Sequence, residues 1–140
     1  MEKKEPIREE INPERLESFE GLTILIVEDH LISSYLMSKY FKGENLNFLY
    51  AGNGLDAVNL VKQFSEINLV LMDIKMPVMN GLEATRQIKA LRPDLPVIAQ
   101  TAYTLPEDRN KAKEAGCDSF ITKPINKNEL LELIKQLVQR

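Results

Sequence analysis

One cysteine, one histidine and no long apolar run set the first limits on this 140-residue chain. A lone Cys117 cannot close an internal disulfide, which fits a reducing compartment and a small, buried or half-buried thiol. No segment approaches the roughly 20 apolar residues that a membrane-spanning helix needs, and the N-terminal stretch lacks a signal-peptide core. The expected location is cytoplasmic. A basic stripe is missing as well. Beyond the first 20 residues, 14 basic side chains balance 14 acidic ones, so neither nucleic acid nor an anionic membrane surface is an expected partner.

The length suits one compact domain with a sizeable core. Residues 1–20 stand apart. They carry seven acidic and four basic side chains with Pro6 and Pro13, and they show no sustained apolar face, so they read as a charged linker or tail to a domain over 21–140. This lead-in favours a remnant of a connection to another domain over a stand-alone protein.

From Leu22 onward, strand-like and helix-like patterns alternate. Leu22 to Val27 is a near-continuous apolar run, as in a strand buried on both faces. Leu31 to Phe41 is helix-like, with Ile32, Tyr35 and Leu36 on one face. Asn47 to Tyr50 forms a second strand, and Gly54 to Ser65 carries Ala57, Leu60, Val61 and Phe64 at helical spacing. Leu69 to Met72 is the third strand and Leu82 to Leu91 the third helix. Val97 to Thr101, Pro106 to Ala115, Ser119 to Ile121 and Asn126 to Gln139 complete the series. Five strand–helix repeats imply parallel strands joined by right-handed crossovers, an α/β fold with helices on both faces. Among doubly wound sheets, five strands in this length fit the flavodoxin-like order 2-1-3-4-5 with five flanking helices.

In such sheets ligands sit beyond the carboxyl ends of the strands. The residues there are Glu28 and Asp29, then Asp73, then Thr101 and Ala102, then Lys123 and Pro124. Each polar group has an ordinary alternative: a helix cap for Glu28, Asp29 or Asp73, a β-branched strand residue for Thr101, a solvated lysine for Lys123. Their convergence on one rim argues against that. Three close carboxylates repel or shift one another's pKa strongly, and a divalent cation removes the problem. Magnesium takes one or two carboxylates and keeps several waters. Asp29 and Asp73 are the expected direct ligands, with Glu28 acting through water, a backbone carbonyl near Lys75 completing the set and Lys123 balancing the charge.

These residues carry a resemblance. Ile24-Leu25-Ile26-Val27-Glu28-Asp29, Leu71 through Gly81, Thr101-Ala102 and Ile121-Thr122-Lys123-Pro124 resemble the motifs of a response-regulator receiver domain of two-component signalling, over roughly residues 21–140. The Glu-Asp pair and the Asp73 segment are most similar to the C-terminal receivers of hybrid sensor histidine kinases. The resemblance implies that Asp73 accepts a phosphoryl group from a phosphohistidine. It makes Asp29 and Glu28 the magnesium pair and gives Lys75 a carbonyl ligand. Lys123 would bond a phosphoryl oxygen, Thr101 and Phe120 would form the switch, and Ala102 would leave room for the phosphoryl group. A cis Lys123–Pro124 bond is implied too.

A carboxylate needs no general base, so charge neutralisation and positioning supply most of the catalysis. The implied partner is a sensor histidine kinase domain or a histidine phosphotransfer protein. The surface of the fourth helix, fifth strand and fifth helix is the switching face, and the chain is a monomer or weak phosphorylation-dependent dimer. It is no conventional enzyme, although it promotes its own phosphorylation and dephosphorylation. Lys75 and Tyr103, two residues beyond Asp73 and Thr101, border the phosphoryl position and bear on its lifetime. His30, without a kinase-type pair of helices around it, reads as a solvated helix-start residue. Two other classes compete: a phosphorylation-independent interaction domain, and an aspartyl-phosphate phosphatase. The phosphatase calls for a second aspartate where Lys75 stands.

Overall fold

A computed structural model describes residues 21–76, 78–102 and 105–138, with only the main chain described for 31–34 and 40. The charged lead-in over 1–20, the Ile32 side chain, Pro77, Tyr103 and the last two residues lie outside it. Five strands form one sheet: β1 (Leu22–Val27), β2 (Leu46–Ala51), β3 (Ile67–Asp73), β4 (Val97–Thr101) and β5 (Ser119–Thr122). The described helices are α1 (Leu31–Tyr40), α2 (Gly54–Gln63), α3 (Gly81–Leu91), α4 (Pro106–Ala115) and α5 (Lys127–Val138). Neighbouring strands are all parallel, in the order β2-β1-β3-β4-β5. The fold is thus the doubly wound sheet that the strand–helix alternation predicts.

Central strands buried on both faces feed two cores. On one side Ile24, Ile26, Leu69, Leu71, Ile98 and Ile121 meet Met37 and Phe41 near α1 and Leu130, Leu131 and Ile134 of α5. On the other, Leu25, Val27, Val70, Met72 and Val97 meet Ala57, Val58 and Val61 of α2 and Ala84 and Ile88 of α3. Successive strand residues point to opposite faces, so the alternation assigns each polar residue at a strand end to one side.

The face of α1 differs from expectation. Tyr35 and Leu36 are exposed, whereas Met37 and Phe41 enter the core. Lys39 holds its ammonium 5.3 Å from the Tyr35 ring centroid, a contact that suits a wet surface. The helix turns its Met37 side inward because Phe41 stacks at 5.7 Å on Phe48 of β2 and anchors its last turn.

Candidate functional site

Backbone pairing runs one residue past the ladders and locks the rim in place. The Glu28 amide donates to Ala51 O, the Ile74 amide to Gln100 O, and the Lys123 amide to Thr101 O. Val27 pairs with Met72, and Asp73 with Gln100. Glu28, Asp73 and Gln100 therefore form a level row on three adjacent strands, directly above Ile26, Leu71 and Ile98 of the α1/α5-side core. Lys123, two residues past Ile121 on the same face, reaches over this row. Its Nζ lies 3.0 Å from Asp73 Oδ2 and 3.2 Å from Glu28 Oε1.

Asp73 is 4% exposed and Glu28 5%, so neither carboxylate relies on bulk water. Asp73 Oδ1 also accepts from the Lys75 amide at 3.1 Å. Asp73 is not the cap of the helix that follows it. That task falls to Asn80, whose Oδ1 accepts from the Glu83 amide at 3.0 Å at the start of α3. Between them the chain turns so tightly that a Cβ at Gly81 would strike the Asp73 carbonyl oxygen, and the Gly81 amide donates to Ile74 O at 2.9 Å. The Asn-Gly pair of the sequence is a device for seating α3 against the end of β3.

Burial raises the pKa of Glu28, the nearby charge of Asp73 raises it further, and Lys123 only partly offsets both. Burial pulls Lys123 down, but its hydrogen bond to Asp73 and the charges of Asp73 and Glu28 outweigh this and leave it raised. One ammonium serves two buried carboxylates, and Asp29 adds a third, exposed one beside them. His30 is exposed at the N-cap of α1, with Nδ1 3.3 Å from Glu28 Oε2 and 3.4 Å from Asp29 Oδ1. Donor atoms of Glu28, Asp29 and His30 all lie within 4.8 Å of one another. This set, oxygen-rich and short of positive charge, fits a hard divalent cation.

Thr101 and Phe120 belong to the other face of the sheet by alternation. Thr101 is buried at the end of β4, followed by exposed Ala102. Phe120 is half-buried on β5, with the Arg109 guanidinium of α4 5.0 Å from its ring centroid. Lys75 is exposed, and the Lys123–Pro124 bond is cis. Cys117 is half-buried, its Sγ 3.8 Å from Thr85 Oγ1 and far from the rim in the fold. Sequence reasoning overlooked Gln100. The available signal was its parity: in Val97-Ile98-Ala99-Gln100-Thr101, the glutamine shares a face with Ile98.

The sequence profile described as "Response regulator receiver domain" matches residues 24–135. The chain is 34% identical over 119 residues to the probable transcriptional regulator ycf29 of Pyropia yezoensis, covering 84% of this chain and 53% of that protein. It is 35% identical over 117 residues to the sensor histidine kinase RcsC of Escherichia coli K12, covering 84% of this chain and 12% of RcsC. The chain thus spans about half or less of these relatives' lengths. Among solved structures, one neighbour is the receiver domain of sensor histidine kinase PA1611 from Pseudomonas aeruginosa PAO1, with a magnesium ion coordinated in its active site cleft. It matches with a TM-score of 0.79 at 28% identity, over 86% of this chain and 99% of that one. The receiver domain of Saccharomyces cerevisiae Ssk1, co-crystallised with the histidine phosphotransfer signaling protein Ypd1, gives a TM-score of 0.79 at 28% identity, over 86% and 91%.

Proposed function

The chain belongs to the response-regulator receiver domain family, and from that premise we propose that it is a phosphoacceptor in two-component signalling, with Asp73 taking a phosphoryl group from a phosphohistidine. An Asp73 carboxylate oxygen attacks phosphorus in line, the P–N bond breaks, and the imidazole leaves with the bonding electron pair. Lys123, already 3.0 Å from Asp73 Oδ2, follows the developing charge onto a phosphoryl oxygen. Asp29, Asp73 and the Lys75 carbonyl would hold magnesium, with Glu28 acting through water. When bound, the ion neutralises charge on the equatorial oxygens. Thr101 then turns toward the phosphoryl group, in the room that Ala102 leaves, and Phe120 moves inward, which alters the face of α4, β5 and α5.

The donor is a sensor histidine kinase domain or a histidine phosphotransfer protein. That assignment draws on the Ypd1 complex of Ssk1 and on the kinase relatives. The domain spans 21–140 behind a charged linker, works in the cytoplasm, and is a monomer or weak phosphorylation-dependent dimer. No helix among the described residues is long and apolar enough to cross a membrane.

The observation that carries this reading is the bridge from Lys123 Nζ to two buried carboxylates on adjacent strands. A structural salt bridge needs one partner; a second buried acid raises the cost and calls for use. Incubation with acetyl phosphate and Mg2+ should add the mass of one phosphoryl group, labile to hydroxylamine and absent from Asp73→Asn. Wild-type protein whose mass stays unchanged would leave a phosphorylation-independent interaction domain as the better reading.

A further inference from the structure

Val78 holds φ at 70°, in the left-handed region where a β-branched residue is strained. The loop around it explains the angle. It leaves β3 at Asp73 and returns at once: the Gly81 amide donates to Ile74 O, and a Cβ on Gly81 would strike the Asp73 carbonyl oxygen. From the other side, the Gly54 amide at the start of α2 donates to Met79 O at 3.1 Å, and a Cβ on Gly54 would strike that oxygen. Two glycines thus clamp the turn that contains Val78. The clamp does not explain the valine. Glycine would take this angle freely, and asparagine at small cost. Met76 and Met79, in the same loop, pack against the core of α2 and α3, whereas Val78 is 80% exposed. The resting chain carries a strained backbone under an apolar side chain that stays in water.

We propose that Val78 is an apolar anchor for the protein that carries the phosphohistidine, buried when that donor seats its imidazole over Asp73. This rests on the phosphoacceptor reading above. Asp73 is buried, and in-line transfer brings the donor's phosphorus to about 3–3.5 Å from its carboxylate. A protein donor therefore has to cover the rim. Val78 is three residues from Gly81, whose backbone abuts that of Asp73, so its Cα lies within about 11 Å of that contact. Even a small, transient interface takes about 600 Å² from each partner, enough to reach beyond that radius. Docking then removes from water the apolar area that the resting loop exposes, and the clamped turn presents it with little further ordering. A small phosphodonor such as acetyl phosphate covers no loop and gains none of this.

Two classes of donor tell docking from chemistry. The protein probe is the radiolabelled sensor kinase domain or histidine phosphotransfer protein of the host organism that transfers fastest to the wild-type chain. Val78→Gly and Val78→Asn both accept the backbone angle and both remove the apolar group. Each should melt at or above the wild-type temperature and take phosphoryl groups from acetyl phosphate within about twofold of the wild-type rate. Each should lose about tenfold in kcat/KM with the protein probe, through KM, as expected for one unburied valine side chain. Val78→Ile, which keeps the apolar group, should transfer like wild type. Wild-type transfer from the protein probe in both variants overturns the proposal. An equal loss with acetyl phosphate overturns it too, since the loop would then serve the chemistry. Wild-type protein that takes acetyl phosphate but no label from any of these proteins overturns the anchor and leaves Asp73 as the acceptor. If it takes neither, the phosphoacceptor reading fails, and this inference with it.

Discussion

Cys117 shows how far from the rim a reactive-looking group can be a packing element. Burial is the largest influence on its thiol, with the Thr85 hydroxyl a smaller opposing one, and its pKa is pushed up to about 11 from 9.0. At pH 8 the native chain should therefore carry about a hundredfold less thiolate than the unfolded chain, and iodoacetamide should alkylate it correspondingly slowly. A folded pKa above the unfolded one gives stability that is complete below pH 9 and lost as pH rises toward 11. Relative to Cys117→Ala, the wild type should lose about 2 kcal/mol between pH 8 and pH 11 in urea denaturation. The rim residues were readable for the converse reason. Glu28, Asp73 and Lys123 each interrupt an apolar run at its end, where only function or a cap explains a charge. Gln100 interrupts one a residue earlier, and only the β3–β4 register reveals that it stands beside Asp73.

Elements are held at their ends by side chains whose meaning is invisible without the fold. Lys89, in the last turn of α3, donates to Pro93 O at 3.3 Å, Leu95 O at 2.8 Å and Asp118 Oδ2 at 2.7 Å. The same Asp118 oxygen accepts from the Val97 amide at 2.9 Å. One ammonium thus joins the end of α3, the loop into β4 and the approach to β5. Lys89→Met keeps the stem and removes all three donors. It should cost about 2 kcal/mol in chemical denaturation, more than an exposed surface pair would, because carbonyls and Asp118 lose their donor in a half-buried place. Sequence offered only a lysine near a helix C-terminus. The long apolar strands were legible because burial on both faces forces a continuous hydrophobic run, as in Leu22 to Val27. The inward face of α1 was not. Leu36 and Met37 are adjacent and both apolar, and tertiary contact with Phe41 and Phe48 decides between them.

At the scale of the molecule, the sheet separates two cores and the rim joins them. Glu28, Asp73, Gln100 and Lys123 cap the core under α1 and α5. Thr101 and Phe120 lie on the side of α2, α3 and α4. In the proposed function a phosphoryl group on Asp73 would act across the sheet edge, and its readout would depend on what holds Phe120 in its resting place. Arg109 does so from α4, its guanidinium 5.0 Å above the ring. An exposed cation over a half-buried ring such as this contributes about 0.5–1 kcal/mol. If Phe120 moves inward on activation, that contact is lost, and it biases the equilibrium against the activated state. Arg109→Ala should then tighten beryllium fluoride binding in saturating Mg2+ by about two- to fivefold, the equivalent of the lost contact. Arg109→Lys, which keeps a cation near the ring, should stay close to wild type. Affinity that is the same in Arg109→Ala and wild type would mean that Phe120 is not carried inward by the switch.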